Sequence, residues 1–294
     1  MAVTPFFGAH PAVGDLVHPR EYEEQAGYRA YFFGHFRVFR GDQQLVDESP
    51  RRRKALMILQ WFLLNPGRTC SADEFIELFW PDSPPHRALG NFHVAMHSLR
   101  RMLEPDLHSR QESAFIQRGP NNFYRFDLGE RWWTDTGDVA MLFERGQACD
   151  ARGERRQACY YYRRVTNYCA QGFLPDAVGD MRMPYVYRYR QIQTQSLMRL
   201  MHLHAVNQEE EDLLESAYQM LQVDRCNEPA ARVVIEALLR AGHPTRAAQR
   251  LRQLWECYQR DLGVRPTREL HDLRDRITAA LKGESALSSA VIQV

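Results

Sequence analysis

The sequence predicts a mainly α-helical protein in two parts: an N-terminal winged helix-turn-helix domain of the α+β class, then an all-α, tetratricopeptide-like helical-repeat domain. The chain has 294 residues, 44% apolar and 26% charged, which is enough for two domains with buried cores. Elements predicted over residues 31–130 follow the order strands, helix, helix, loop, helix, hairpin, and the pattern after Arg131 is helical almost throughout. We therefore expect a tail at 1–30, a winged-helix DNA-binding domain at 31–130, a helical domain at 131–282 and a tail at 283–294.

The first domain opens with short strands and an apolar helix. The stretch YFFGHFRVF from Tyr31, followed by the pair Gly41–Asp42, is typical of short strands around a tight reversal. Pro50 then opens a helix over Arg51–Leu64, and the sequence NPG directly after it predicts its end.

Two more helices and a hairpin complete this domain. Ser71 and Glu74 have capping-box spacing, which predicts a short helix to about Phe79. The stiff loop WPDSPP separates it from a third helix over His86–Leu103. The segments AFIQR and FYRFDL flank the sequence GPNN and predict a β-hairpin over Phe115–Phe126. This order of elements is that of a winged helix.

The second domain is predicted to be a series of helices. They are expected at Asp138–Arg152, Glu154–Ala170, Met183–Asn207, Glu209–Val223, Glu228–Ala241, Thr245–Leu262 and Thr267–Lys282. Gly153 and Gly242 fall where C-terminal helix caps belong. Each glycine precedes an arginine-rich helix that contains a small residue, Ala158 or Ala248, so the pattern indicates a weak internal repeat of helix pairs.

Charge and motif composition exclude several classes of protein. With 38 basic and 37 acidic side chains the net charge is +1, which excludes a polybasic or acidic-tail protein. There is no run of about 18 apolar residues and no signal-peptide pattern, so we expect no membrane contact. The six cysteines form no CxxC pair and predict buried free thiols in a reducing, cytoplasmic location. The phosphate-loop, dinucleotide and hydrolase strings are missing, so we expect neither an enzyme nor a cofactor.

The third predicted helix has the pattern of a helix that reads DNA. On a wheel of about 100° per residue, Leu89, Met96, Leu99 and Leu103 lie near Phe92 and form a core stripe. The helix contains no acidic residue. Six residues on its opposite half are expected to read bases: Arg87, Asn91, Val94, His97, Ser98 and Arg101. Arginine and asparagine can pair with guanine or adenine edges, and valine can touch a thymine methyl.

A second set of cations is expected to contact DNA phosphates. Its members are Arg51, Arg52, Arg53, Lys54, Arg100, Arg118 and Arg125. Four successive cations at the start of a helix oppose its dipole, and this arrangement favours an anionic partner. The alternative is that both sets are ordinary solvated surface charges. The ordered helix–loop–helix–hairpin pattern around them favours DNA.

Arginines interleaved with tyrosines form a candidate ligand patch in the second domain. Its members are Arg163, Arg164, Arg182, Tyr185, Arg188 and Tyr189. Such a patch can hold a small anionic or nucleotide effector by charge and stacking. In the alternative interpretation the tyrosines fill gaps between helices while the arginines stay solvated. His93 and His97 have metal-ligand spacing, but the glutamate of HExxH and a third ligand are missing, so we expect no metal site.

Two parts of the chain resemble a known family. The first part resembles the OmpR-type winged-helix domain of the Streptomyces antibiotic regulatory protein family. The resemblance lies in the stretches FGHFRVF and RRRKALMILQWFLLNPGRTCSADEFIELFWPDSPPHRALGNFHVAMHSLRRML. The second part resembles the bacterial transcriptional activator domain that follows the winged helix in that family. The resemblance lies in the stretches WTDTGDVAMLFERG, YYYRRVTNY and LRAGHPTRAAQRLRQLWECYQRDLGVRP. The order and spacing of these pieces extend over about 250 of the 294 residues.

This resemblance implies a transcription regulator, in particular an activator. Its relatives bind direct repeats near promoters, often as two side-by-side copies, and recruit RNA polymerase, so promoter DNA, polymerase and a second copy of the chain are the expected partners. The resemblance implies a recognition helix at Arg87–Leu103 and a wing at Phe115–Phe126. It also implies that the loop Phe79–Pro85 lies near polymerase.

Three features favour an alternative function, that of a ligand-sensing or protein-interaction scaffold whose winged helix binds DNA weakly. The first domain is nearly neutral overall. The wing carries PNNFYR where the family has a Gly-Tyr-Arg strand. Finally, Gly90 lies within the recognition helix, where a glycine costs about 1 kcal/mol relative to alanine.

Overall fold

The computed structural model describes residues 23–45, 50–108, 111–175, 182–262 and 267–291, without the side chains of residues 50, 51, 261, 262 and 283–291. Residues 1–22 of the predicted tail at 1–30 therefore lie outside the described residues, whereas its last three residues, 28–30, belong to a strand. The chain divides into two compact units, which we describe separately. The first comprises residues 1–140 and 171–184, and the second residues 141–170 and 185–294. The domain boundary predicted at residue 131 stays a prediction.

The first unit contains a four-stranded sheet. Its strands are β1 (Tyr28–Tyr31), β2 (Arg37–Arg40), β3 (Gln43–Gln44) and, much later in the chain, β7 (Trp132–Thr134). The order across the sheet is β3-β2-β1-β7, with β7 parallel to β1 and the other pairs antiparallel. The predicted Gly41–Asp42 reversal joins β2 to β3.

Three helices and a second sheet form the winged helix. In chain order they are α1 (Pro50–Leu64), β4 (Thr69–Ser71), α2 (Ala72–Phe79), α3 (Pro85–Leu103), β5 (Ile116–Arg118) and β6 (Phe123–Phe126). Strand β6 lies between β4 and β5 and is antiparallel to both. The predicted fold class of this part is confirmed, including the hairpin.

Local sequence signals set the ends of α2 and α3. The Ser71 hydroxyl accepts from the Glu74 amide at 3.1 Å, and the Glu74 carboxylate accepts from the Ser71 amide at 2.7 Å, which completes the predicted capping box. Helix α3 starts with proline at its first position, where no amide donor is needed. Its C-terminal end is held to β1 because the Tyr28 hydroxyl donates to the Leu103 carbonyl at 2.6 Å.

A cluster of aromatic rings joins the helices of the first unit to its wing. The rings of Phe62 in α1 and Phe75 in α2 lie 5.2 Å apart, and Phe75 lies 5.7 Å from Phe92 in α3. Phe126 in β6 stacks on Phe62 at 5.4 Å. All four rings are fully buried. Because aromatic pairs have preferred geometries as well as large buried areas, this cluster fixes how each element is rotated about its axis.

A buried carboxylate holds β1 to the start of the next helix, α4 (Asp135–Ala151). Asp135 Oδ2 accepts from the backbone amides of Phe32 and Phe33 at 2.7 and 2.9 Å, and only 1% of the residue is exposed. Burial raises the pKa of Asp135 to about 7, against the lowering effect of these amide donors. The contact ties together segments about a hundred residues apart in the chain.

The second unit consists of helices. In chain order they are α5 (Arg155–Cys169), α6 (Met183–Asn207), α7 (Glu210–Val223), α8 (Glu228–Arg240), α9 (Pro244–Cys257) and α10 (Arg268–Val291). The unit also includes α4 from Met141 onward, and it includes α6 from Tyr185 onward. A π-helical turn at Tyr258–Leu262 extends α9. Gly153 and Gly242 have positive φ angles of 75° and 71° at the turns after α4 and α8, so both predicted caps are confirmed.

Each helix of the second unit buries one face against its neighbours in the chain. Between α4 and α5, Gly146 lies directly under the Tyr162 ring, where an added Cβ would come within 2.9 Å of a ring carbon. The α4 residue Asp150 then accepts two hydrogen bonds from the Arg199 guanidinium of α6, at 2.6 and 2.8 Å. Further along, Ala231, Ala247 and Leu270 are core residues of α8, α9 and α10. This is the packing of a helical-repeat array, as predicted.

The structure departs from the sequence expectations at several places. Strands β4 and β7 are too short to have a sequence period of their own and were not predicted. Leu89 was expected in the core, but 40% of it is exposed because Ala88 takes the buried position on that edge of α3. The tail predicted from residue 283 is instead helical to Val291, and residues 292–294 lie outside the described part.

The pH dependence of stability tests the role of Asp135. A carboxyl whose pKa is higher in the folded chain binds a proton more tightly on folding, so its contribution to stability falls as the pH rises from about 3.8 to about 7. Urea unfolding followed by tryptophan fluorescence at several pH values should show this fall in the wild-type chain. It should be reduced in Asp135→Asn, which cannot ionise.

The variant Asp135→Ala should unfold more easily than Asp135→Asn throughout that range. It leaves two buried amides without an acceptor, each of which costs about 1–3 kcal/mol. If the wild type and Asp135→Asn showed the same pH dependence, the raised pKa would be contradicted.

Candidate nucleic-acid interface

Helix α3 presents one polar face outside the core of the first unit. Phe92, Met96, Leu99 and Leu103 are buried, as the wheel predicts. Of the six candidate base-reading residues, five are exposed and Ser98 is half-buried. The five are Arg87, Asn91, Val94, His97 and Arg101. The structure therefore brings the predicted residues together on one face, although their role stays a prediction.

Three polar side chains on this face make no polar contact with other residues of the described chain. Within the described residues, the side chains of Arg87, Asn91 and Arg101 make no hydrogen bond or ion pair to another residue. An added Cβ at Gly90 would have no neighbouring atom within 4 Å, so packing inside the chain does not require glycine there. Leu89 and Val94, 40% and 45% exposed, add apolar contact area to the polar groups.

The wing is shaped by two asparagines rather than by glycine. Asn121 and Asn122 have positive φ angles of 56° and 59°, a conformation that asparagine tolerates better than most residues. The Arg118 guanidinium donates to the Asn122 side chain and lies 6.0 Å from the centre of the Tyr124 ring. Arg125, on the neighbouring strand, is exposed. The sequence PNNFYR therefore still forms a closed hairpin, with Arg118 beside its tip and Arg125 farther along β6.

The candidate phosphate residues of α1 separate into different environments. Arg52 and Arg53 are exposed, whereas the side chain of Arg51 lies outside the described residues. Lys54 is half-buried: its ammonium donates to the Phe79 carbonyl at 2.6 Å and lies 5.6 Å from the centre of the Trp80 ring. Burial, with the nearby Arg53 charge, lowers the pKa of Lys54. Lys54 thus binds the carbonyl end of α2, as cations do at helix C-termini, and its phosphate contact stays a prediction.

Arg100 is also partly removed from solvent. It is half-buried, and its Nε is enclosed without an acceptor among the described residues. The sequence could not show this, because Arg100 lies at the edge of the core stripe on the wheel. Its predicted phosphate role depends on the outer nitrogens of the guanidinium.

The candidate ligand patch is distributed over several places. Arg182, in the first unit, donates to the carbonyls of Leu174 and Pro175 at 2.6 and 3.1 Å. In the second unit Tyr189 is buried, which agrees with the gap-filling interpretation, while Tyr185 is half-buried and Arg188 exposed. Arg163 and Arg164 instead line a cleft against α6 and α7, considered below.

Two further expectations concern cysteines and membranes. All six cysteines are free thiols; five are buried and Cys226 is half-buried. In the described part of the chain, no helix is both long enough and apolar enough to span a bilayer.

Comparison with known proteins bears on both units. The family model of the bacterial transcriptional activator domain matches residues 134–278. The regulatory protein AfsR of Streptomyces griseus is 26% identical over 253 residues, which are 84% of this chain and 24% of AfsR. AfsR of Streptomyces coelicolor is 26% identical over 280 residues, 94% of this chain and 26% of that protein. Residues 134–278 thus carry the predicted bacterial transcriptional activator domain, and the AfsR matches support the resemblance to the Streptomyces antibiotic regulatory protein family.

Other relatives are shorter or more distant. The transcriptional regulatory protein MoaR1 of Mycobacterium tuberculosis is 27% identical over 134 residues, 46% of this chain and 40% of MoaR1. Mycobacterium tuberculosis EmbR, solved in complex with a low-affinity phosphopeptide, has the same fold: the TM-score is 0.66 at 16% identity, covering 92% of this chain and 71% of EmbR. This chain spans only about a quarter of the length of its AfsR relatives.

Replacing Lys54 by methionine should reduce stability. The variant keeps the length of the side chain but removes the donor to Phe79, so it should lose about 0.5–1.5 kcal/mol, the usual net value of one hydrogen bond. Urea unfolding at neutral pH measures the difference. As the control, Arg52→Met removes a neighbouring exposed cation and should change stability by less than about 0.5 kcal/mol. Equal losses in both variants would contradict the assignment of Lys54 as a structural contact.

Proposed function

We propose that this chain is a transcription regulator that binds promoter DNA through α3 and the β5–β6 wing and activates transcription there. The observation that carries the proposal is the free polar face of α3. It has no acidic residue, and its arginines and asparagine have no partners within the described chain. In a winged helix, the second helix of the helix-turn-helix enters the major groove with this kind of face toward the bases.

In this arrangement different residues supply specificity and affinity. Arg87, Asn91 and Arg101 would form paired hydrogen bonds with base edges, with Val94, His97 and Ser98 beside them. Arg52 and Arg53 on α1 and Arg118 and Arg125 on the wing would bind phosphates, and these contacts position the protein without selecting a sequence. We also propose that two copies of the chain bind side by side on direct repeats.

The Asn91→Ala variant tests base reading. Loss of one paired contact should cost about 1–3 kcal/mol on the preferred site and relax the sequence preference at one position. The preferred site comes from selection of bound fragments from sheared genomic DNA by the full chain, and affinities from fluorescence anisotropy. Gln44→Ala, an exposed change in β3, is the control and should leave binding unchanged.

The variant Arg52→Ala should behave differently from Asn91→Ala. It should weaken binding to every DNA sequence alike and reduce the slope of log affinity against log salt by about 1. An Asn91→Ala variant that weakens all sequences equally would contradict base reading. Binding of the wild-type chain with little dependence on salt would favour the alternative function, a scaffold whose winged helix binds DNA weakly, because several phosphate contacts require a steep dependence.

The loop Phe79–Pro85 is the proposed contact with RNA polymerase. The Lys54 ammonium binds the Phe79 carbonyl at the start of this loop, and Asp82 is exposed near its middle. The hydrogen bond from Lys54 therefore holds the first residue of the loop in place, and the middle of the loop is accessible to a partner.

Transcription on a selected promoter fragment, with purified polymerase, tests this contact. The wild-type chain should increase transcript yield. Asp82→Ala should reduce that increase at saturating protein while DNA affinity stays within about twofold, as expected for a surface charge away from the DNA contacts. The exposed Asp106→Ala serves as the control. A fall in transcript on adding the wild-type chain would contradict activation.

A further inference from the structure

A cleft of about 510 Å³ opens in the second unit, between α5 and the junction of α6 with α7. This volume is within the range of small-molecule sites, about 300–1,000 Å³. One wall is a continuous face of α5 that carries Arg156, Tyr160 and Arg164 at four-residue spacing. Glu209 and Asp212 stand on the other wall. The cleft therefore has a cationic, aromatic side and an acidic side.

The α5 wall offers a ring and two cations. Tyr160 is 46% exposed, an unusual position for so large an apolar surface. The Arg164 guanidinium lies 3.3 Å from its hydroxyl and 5.9 Å from the ring centre. Within the described chain, neither Arg156 nor Arg164 has a carboxylate within 4.0 Å. Both guanidinium groups can therefore bind an anion, and the ring can stack against a planar group.

The opposite wall is acidic, and both of its carboxylates are held in place. Asp212 lies 3.0 Å from an Arg163 nitrogen, and Glu209 lies 2.6 Å from Nδ1 of the buried His204. The His204 contact holds the pKa of Glu209 below its usual range, so this group is an acceptor at neutral pH. A ligand that reaches this wall must offer hydrogen-bond donors.

We propose that this cleft binds a nucleoside phosphate, with guanine as the preferred base. Arg156 and Arg164 would hold the phosphates, Tyr160 would stack on the base, and a carboxylate of the opposite wall would accept from the base edge. Guanine presents two adjacent N–H donors, which match the two oxygens of a carboxylate, whereas adenine presents only its amino group. This site is independent of the proposed DNA contacts of the first unit.

A metal ion is the competing occupant of the acidic wall. The candidate ligand atoms of His204, Glu209 and Asp212 lie within 4.8 Å of one another. However, Asp212 is already paired with Arg163, whose charge repels a cation. The observations therefore favour the nucleotide, and binding measurements can include Zn²⁺ alone as a separate arm.

Titration calorimetry of the full chain, in buffer containing EDTA, tests the proposal. GTP should bind more tightly than ATP, and ATP more tightly than inorganic tripolyphosphate, which offers charge but no base. Equal affinity for tripolyphosphate and GTP would overturn the nucleoside part. Absence of heat with all three ligands would overturn the site. A second result would also overturn it: no binding of GTP, together with Zn²⁺ binding, measured without EDTA, that is lost in Glu209→Gln.

Variants on the α5 wall localise the site. Arg156→Gln and Arg164→Gln should each weaken GTP binding about tenfold, the value of one charge-assisted contact. Arg252→Gln removes an exposed arginine from α9 and should leave it unchanged. Tyr160→Phe should retain binding, whereas Tyr160→Ala should weaken it. A loss in Arg252→Gln as large as in Arg164→Gln would show unspecific charge attraction and overturn the proposal. Thermal unfolding confirms that each variant is folded.

Discussion

The stack of buried rings formed by Phe62, Phe75, Phe92 and Phe126 is the contact on which the rest of the first unit depends. It joins three helices and the wing, with ring centres 5.2–5.7 Å apart along the chain of contacts. Because Phe92 is fixed on one side of α3, the opposite side must face away from the core. The rotation that buries Phe92 therefore exposes Asn91 and Arg87, so the proposed DNA-reading face depends on a hydrophobic contact.

Polar contacts complete what the rings begin. The Tyr28 hydroxyl holds the last turn of α3, and the Lys54 ammonium holds the last turn of α2. In both cases the acceptor is a helix-end carbonyl that has no partner within its own helix. Asp135 performs a comparable task for two amides that follow β1, at the cost of a buried carboxyl with a raised pKa. These side-chain hydrogen bonds hold the ends of short helices and strands, which have few backbone hydrogen bonds of their own.

The two candidate binding surfaces use charge in different ways. On α3 the cations lie together without any acidic residue, a distribution suited to an extended polyanion. In the cleft of the second unit, arginines and carboxylates face each other across a volume of about 510 Å³, which suits a small ligand with both anionic and donor groups. A net charge of +1 for the whole chain conceals this separation.

Features that depend on local spacing could be predicted from the sequence. They are the Ser71–Glu74 capping box, the Gly153 and Gly242 caps and the acid-free face of α3. Each arises from residues a few positions apart in the chain, so it can be predicted without knowledge of the tertiary fold. Other features emerge only in the folded chain: the parallel pairing of β7 with β1, the exposure of Leu89 and the hydrogen bond from Lys54 to the Phe79 carbonyl. The same holds for the cleft around Tyr160, since it needs residues of α5 and α7 about fifty positions apart. These features depend on contacts between distant segments, and no local periodicity encodes which distant partner a side chain meets.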